Sequence, residues 1–270
     1  MDRGGCQMSG GGGGGEMITL EDLESVSEEQ LSDSPEEEEE QQDRLLRYWR
    51  DVARGHQVEV PTDMAEPIQQ ITSNNDGAHT RESVPFTLIT RKEKCGEVLY
   101  EKRHYEKAHW ACITVHEDTY EQSICYGFMK IMRYICQQNA AGSYLGMTIP
   151  IVTVVRTDEM HTTLSRAVTV AYYLPAPHQS DPPRPHDPEI IIEQWPATIV
   201  YTRWFELRTS LDIRAFTGAT NELSIIHEMH SLAEVLDSPS ICVNDSFIVA
   251  GYTNPAAANR QNEIWFLERP

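Results

Sequence analysis

The apolar positions of Thr119–Gln138 recur with the period of a helix. Ile124, Phe128, Ile131 and Ile135 fall at steps of four, three and four, one stripe of a 3.6-residue repeat. A softer stripe, Cys125, Met129, Met132 and Cys136, runs beside it, and Glu121, Gln122, Lys130 and Gln137 mark the polar side. So wide an apolar surface predicts a helix lying on a sheet. The stripe returns as Ile225, Met229, Leu232 and Leu236, each 101 residues after its counterpart. Alternating, β-branched segments flank both helices. Gly96–Arg103, Lys107–His116 and Met147–Arg156 surround the first; Glu189–Gln194, Thr198–Glu206, Ser246–Tyr252 and Glu263–Glu268 surround the second. The pattern predicts one strand–strand–helix–strand unit used twice. Two unrelated helices on one sheet would leave the same stripes.

Further strands are predicted at Phe86–Arg91 and Arg166–Leu174. Pro150 inside Met147–Arg156 predicts an edge, bend or bulge there, and the six prolines of Pro175–Pro188 predict a stiff exposed connection between the halves. Gln41–Gly55 reads as a short helix whose Trp49 packs against the main domain, and Val58–Val84 as a loose connector. The expected organisation is therefore a disordered acidic, Gly/Glu-rich tail over 1–44, a short helix and linker over 45–84, and the folded domain over 85–270.

Charge sharpens this division. The chain carries a formal −20, and residues 1–44 hold fourteen acids against two bases, so −12 of it sits in the tail. An acidic chain has no electrostatic footprint for nucleic acid or an anionic membrane. Within the tail, Leu20, Leu23, Val26 and Leu31 lie among acids. A solvated tail is the plainer reading, and a protein partner docking through residues 16–40 the alternative. Ser32 and Ser34 precede Glu36–Glu40, the setting of an acid-directed phosphorylation site. No apolar run is long enough to span a bilayer and the N-terminus lacks the pattern of a signal peptide, so the cytoplasm is expected, with the nucleus open as well.

The six cysteines form no C-x-x-C pair, so neither a structural zinc site nor covalent c-type haem attachment is indicated. Cys112, Cys125 and Cys136 read as small core residues of a reducing compartment. His227 and His230 lack the metalloprotease spacing and a third ligand. Glu101 and Glu193 occupy matching places in the two halves, but salt-bridged strand residues explain them better than acid–base chemistry. No residue set supports an enzyme.

Five segments carry a resemblance. Tyr100-Glu101-Lys102-Arg103-His104-Tyr105, Gly146-Met147-Thr148-Ile149-Pro150, His178-Gln179-Ser180-Asp181-Pro182-Pro183, Gly251-Tyr252 and Asn262-Glu263-Ile264-Trp265 resemble the signature segments of the SOUL/haem-binding protein family. The likeness spans Pro85 to Pro270. It implies an α+β fold, a distorted antiparallel β-barrel with two flanking helices and a pseudo-twofold internal duplication. It also implies non-covalent binding of haem b or a related porphyrin by a soluble carrier or buffer.

The resemblance further implies site residues. His104 corresponds to a proposed axial ligand of haem iron; a strand-end surface histidine is the bland alternative. Met129, Met132 and Arg133 correspond to pocket positions on the first helix. There methionines offer a soft surface to a flat macrocycle and arginine pairs with a propionate; core packing and an exposed helix charge are the alternatives. Cys125 stands where relatives tend to carry a basic residue, which weakens the propionate reading. A function of a different class stays open: a protein-interaction scaffold acting through the tail or the second helix.

Overall fold

The computed structural model describes residues 43, 46–47, 49–51, 53–73, 81–158, 160–206, 222–236, 242, 245–252 and 261–269. Expectations for the acidic tail, for Leu207–Gly218 and for most of Gly251–Asn262 fall outside these residues. The strands are β1 (Glu82–Ser83), β2 (Thr87–Lys94), β3 (Glu97–Tyr105), β4 (Ala108–His116), β5 (Thr148–Ile149), β6 (Ile151–Arg156), β7 (Ala167–Tyr173), β8 (Ile191–Trp195), β9 (Thr198–Glu206), β10 (Ser246–Gly251) and β11 (Gln261–Leu267). The helices are α1 (Ala65–Ser73), α2 (Tyr120–Cys136) and α3 (Glu222–Val235).

Nine strands form one antiparallel sheet in the order β2-β3-β9-β11-β10-β6-β7-β4-β8. Laid flat, β3 and β8 would stand about 34 Å apart at the usual ~4.8 Å strand spacing. Yet Tyr105 of β3 and Trp195 of β8 line one cavity. The sheet is therefore curled into a half-barrel, the distorted-barrel α+β architecture expected. Pro150 splits the predicted strand Met147–Arg156 into β5 and β6, with a cis Ile149–Pro150 bond, and β6 runs at the centre of the sheet between β10 and β7.

Alternation along each strand sorts side chains to opposite faces. Ala111, Ile113, Val115, Val170 and Tyr172 join α2 in one convex-side core, and Tyr201, Phe247, Val249, Ile264 and Phe266 join α3 in another. Trp110, Cys112, Ala171, Tyr173, Val200, Ile248 and Trp265 fill the concave side. Thr119 caps α2 by accepting the Gln122 N–H at 3.2 Å.

The ladder reads alike in both directions from the β10–β6 pair: β6-β7-β4-β8 one way, β10-β11-β9-β3 the other. Each half lends its first strand to the other. Ala108 of β4 pairs with Trp195 of β8, and Thr198 of β9 pairs with Tyr105 of β3. Residues 105 and 108 thus correspond to 195 and 198, an offset of 90, while the helices are offset by 101; the second link is 11 residues longer. The same register matches Arg103, not Glu101, with Glu193. The expected match of Glu101 with Glu193 is two residues out of this register.

Residues 43–73 differ from expectation over their second part. Helical residues between 43 and 54 lead to a turn at Gly55, and Trp49 stacks on Phe128 with ring centroids 6.0 Å apart and planes at 9°. The predicted loose connector instead contains a 3-10 turn at Thr62–Met64 and α1. Val58, Val60, Met64, Ile68 and Ile71 are buried in the α2 core. Met64, Ile68 and Ile71 fall at steps of four and three, and Pro67 sits in the first turn, where its missing N–H removes no helical hydrogen bond. The helix α2 is therefore buried on two sides, by the sheet and by the chain's own residues 43–73.

Candidate functional site

Three of the four residues singled out in the sequence meet on α2. Met129 and Met132 are 5 % and 0 % exposed, inside the cluster that includes Trp49, Met64 and Ile68. Arg133, one residue on, donates from Nη2 to Asp63 Oδ1 at 2.8 Å. Its Nε is buried with no hydrogen-bond partner. Burial also pushes the nearby Cys136 thiol up to about 12, and its Sγ lies 3.6 Å from the Pro67 carbonyl oxygen, to which it donates.

His104 is not brought to that group. On β3 it pairs with Thr87 of β2 and Ile199 of β9 and shares their convex face, while its neighbours Arg103 and Tyr105 face the concave side. Its side chain is 33 % exposed, with Nδ1 3.6 Å from Glu106 Oε1.

The concave face holds two features that reasoning from the sequence missed. One is a buried ion network. Arg103 makes a two-pronged contact to Glu263, Nη1 to Oε2 at 3.0 Å and Nη2 to Oε1 at 2.8 Å, and its Nε donates to Glu101 Oε2 at 2.8 Å. Arg91 donates to Glu101 at 2.7 Å, while Tyr252 and Trp265 both donate to Glu263 Oε2, at 2.7 and 2.6 Å. Burial opposes the charge on Arg103, but the Glu263 carboxylate overrides it and raises the guanidinium above its usual range. The sequence signal was Glu101, Arg103 and Tyr105 alternating on one strand face. The other feature is a cavity of about 240 Å³ at the end of the half-barrel between turns 106–107 and 196–197, walled by Tyr105, Trp110, Tyr173, Trp195 and Trp265. No sequence signal exposes it, because it depends on register across the sheet.

The SOUL heme-binding protein family matches residues 81–267. The chain belongs to this family. It is similar to heme-binding protein 2 from Homo sapiens, 27% identical over 209 residues that cover 76% of this chain and 96% of that protein. Heme-binding protein 1 from Bos taurus is 27% identical over 189 residues, 69% of this chain and 92% of that protein. Heme-binding protein 1 from Xenopus laevis is 26% identical over 182 residues, 67% and 89%. Residues 43–73 precede the stretch that matches the SOUL family.

Gln179 and Thr148, in two of the segments that carry the resemblance, hold the sheet together. Gln179 donates to the carbonyls of Leu174 and His109 at 2.5 and 3.0 Å and accepts from the His109 N–H at 2.8 Å. Thr148 donates to the Tyr173 carbonyl at 2.6 Å. His230 Nε2 donates to the His161 carbonyl at 3.1 Å. Among the described residues no cluster of three metal-ligating side chains forms, and no helix is long and apolar enough to cross a membrane.

The residues present fit a porphyrin in part. Arg133 has an unsatisfied buried donor beside a bound carboxylate, the arrangement a propionate would complete. The methionine floor beside it has the right softness but lies under residues 43–73. The cavity is below the roughly 300–1,000 Å³ of drug-sized pockets, and no His, Met or Cys lines it to ligate iron.

Proposed function

We propose that this protein binds haem b or a related tetrapyrrole non-covalently and acts as an intracellular carrier or buffer. Membership of the SOUL heme-binding family over 81–267 is the observation that carries this reading. The unpartnered Arg133 Nε supports α2 as the surface that takes it. In this reading Arg133 pairs with a propionate, while Met129 and Met132 form the apolar floor once residues 43–73 move aside. His104 lies on a separate surface, so as an axial ligand it would serve a macrocycle held against β3 rather than α2. Nothing in the reading requires chemistry on the macrocycle.

Hemin titration of the full chain tests it. The expected result is a saturable, red-shifted Soret band. Arg133→Ala should weaken binding about ten- to a hundredfold, since a charge-assisted hydrogen bond contributes ~1.5–3 kcal/mol. His104→Ala should change the band shape if that imidazole ligates iron. A wild-type chain that saturates with neither hemin nor metal-free protoporphyrin overturns the proposal.

An interaction scaffold is the second reading, favoured by the burial of both methionines. It places the partner on residues 16–40 or on α3, where Leu223 is 79% exposed. It predicts no tetrapyrrole binding beyond that of an acidic control protein.

A further inference from the structure

The cavity in the half-barrel lies where the two repeats face each other, and its walls are not equivalent. The 90-residue offset matches Tyr105 with Trp195 and Trp110 with Val200. Trp110 pairs with Tyr173 across β4 and β7, and Val200 pairs with Leu267 across β9 and β11, so Tyr173 corresponds to Leu267. One wall carries an indole and a phenol packed edge-on, centroids 5.3 Å apart. The matching positions opposite carry only Val200 and Leu267. All four residues line the cavity. The empty volume is thus the space of the rings that the second repeat lacks.

We propose that this cavity is a second binding site, separate from α2, for an uncharged planar aromatic molecule of two fused rings. Size sets the ring number. An apolar cavity of roughly 150 Å³ stays dry and takes up benzene; this one is about 240 Å³, room for a second ring. The walls set the planarity: Trp110 and Trp195 are stacked at 4.7 Å with planes at 20°, and Tyr105 lies against Trp265 at 4.9 Å, so the faces on offer are flat and apolar. The lining sets the charge. Its charged side chains are Glu106 and Lys107, both exposed on the turn at one end, and none lies within the walls to neutralise an ionised group.

The test is calorimetric titration of the full chain with 1-naphthol, with 1-naphthalenesulfonate as the anionic control. Saturable 1:1 binding of 1-naphthol is expected, with the sulfonate at least about tenfold weaker. Val200→Trp restores the ring of the first repeat and should weaken 1-naphthol at least about tenfold. Thr198→Phe, at a half-buried lining position, should do the same should the larger change disturb folding; far-UV circular dichroism and melting temperature identify the variants that remain folded. Prior saturation with hemin should leave 1-naphthol binding unchanged. The proposal is overturned if 1-naphthol does not saturate, if a folded filling variant keeps wild-type affinity, if the sulfonate binds as tightly, or if hemin competes.

Discussion

Whether residues 43–73 are a fixed part of the fold or a cover that opens decides how α2 can meet any ligand. Trp49→Ala probes this. Trp49 is 9% exposed and stacked on Phe128, with Leu46, Ala53 and Met64 in the same core. Removing a buried indole costs about 3–5 kcal/mol in protein cores. Trp49 packs at the periphery, on a segment that can relax, so about 3 kcal/mol is the working figure. If that loss falls on local opening of 43–73, the open population rises by roughly two powers of ten, at about 1.4 kcal/mol per tenfold. Cys136 reports it, being 1% exposed and hydrogen-bonded to Pro67 within the covering segment. Cys112 is the internal control, 3% exposed on the concave face away from that segment. Alkylation with mass-spectrometric readout for each cysteine should show Cys136 accelerated about a hundredfold and Cys112 little changed. Equal acceleration of both would mean that 43–73 unfolds only with the whole domain. Unchanged Cys136 would refute the packing argument itself.

Other consequences are simpler to check. Gly127→Ala gains about 0.5–1 kcal/mol of helix propensity, but the new Cβ would stand 2.6 Å from Val170 Cγ2; overpacking costs of ~1–3 kcal/mol should lower the melting temperature. Thr119→Ala removes the cap of α2 and should cost about 1 kcal/mol in urea unfolding. Glu263→Gln leaves Arg103 buried without its two-pronged partner and should cost about 3–5 kcal/mol in the same assay. Burial opposes ionisation of Glu101, but the hydrogen bonds and charges of Arg103 and Arg91 outweigh it and hold the carboxyl below its usual range. Its contribution is therefore complete above the unfolded value near ~4.3 and lost as pH falls through the folded value. The stability gap between wild type and Glu101→Gln should shrink as the solution is acidified below about pH 4; a gap constant from neutral to acid pH would contradict the assignment.

What was legible in the sequence was whatever periodicity alone determines. The stripe Ile124, Phe128, Ile131, Ile135 predicted α2 and its burial, and alternation predicted Glu263–Glu268 as a strand, whose Ile264 and Phe266 lie on the convex side and Trp265 on the concave side. The duplication appeared as a 101-residue echo. The helix α1 was missed because Pro67 and the Ser-Asn-Asn-Asp-Gly stretch after it read as breakers, although Met64, Ile68 and Ile71 already had helical spacing. The softer stripe of α2 could not say what covered it. Met129 and Met132 have the composition of a ligand floor and of a core alike, and only tertiary packing distinguishes the two.

The duplication also indicates where to look for function. Two residues of the segments that resemble the family hold strands together: Gln179 ties the ends of β4 and β7 and Thr148 ties β5 to β7. Such roles are set by backbone geometry and carry no ligand. Function needs asymmetry, because a ligand without twofold symmetry cannot satisfy two identical walls at once. Among the places where the two halves differ are the concave pair Trp110 and Val200, the matched charges Arg103 and Glu193, and the helix faces, residues 43–73 being laid over α2. Of these, Arg103 is consumed by Glu101 and Glu263. That leaves the cavity and the covered face of α2. The two sites should respond independently: filling the cavity should not alter hemin binding, and loosening Trp49 should not alter 1-naphthol binding. Coupling between them would mean that the sheet between α2 and the cavity moves as one element, and the two sites would then have to be treated as one.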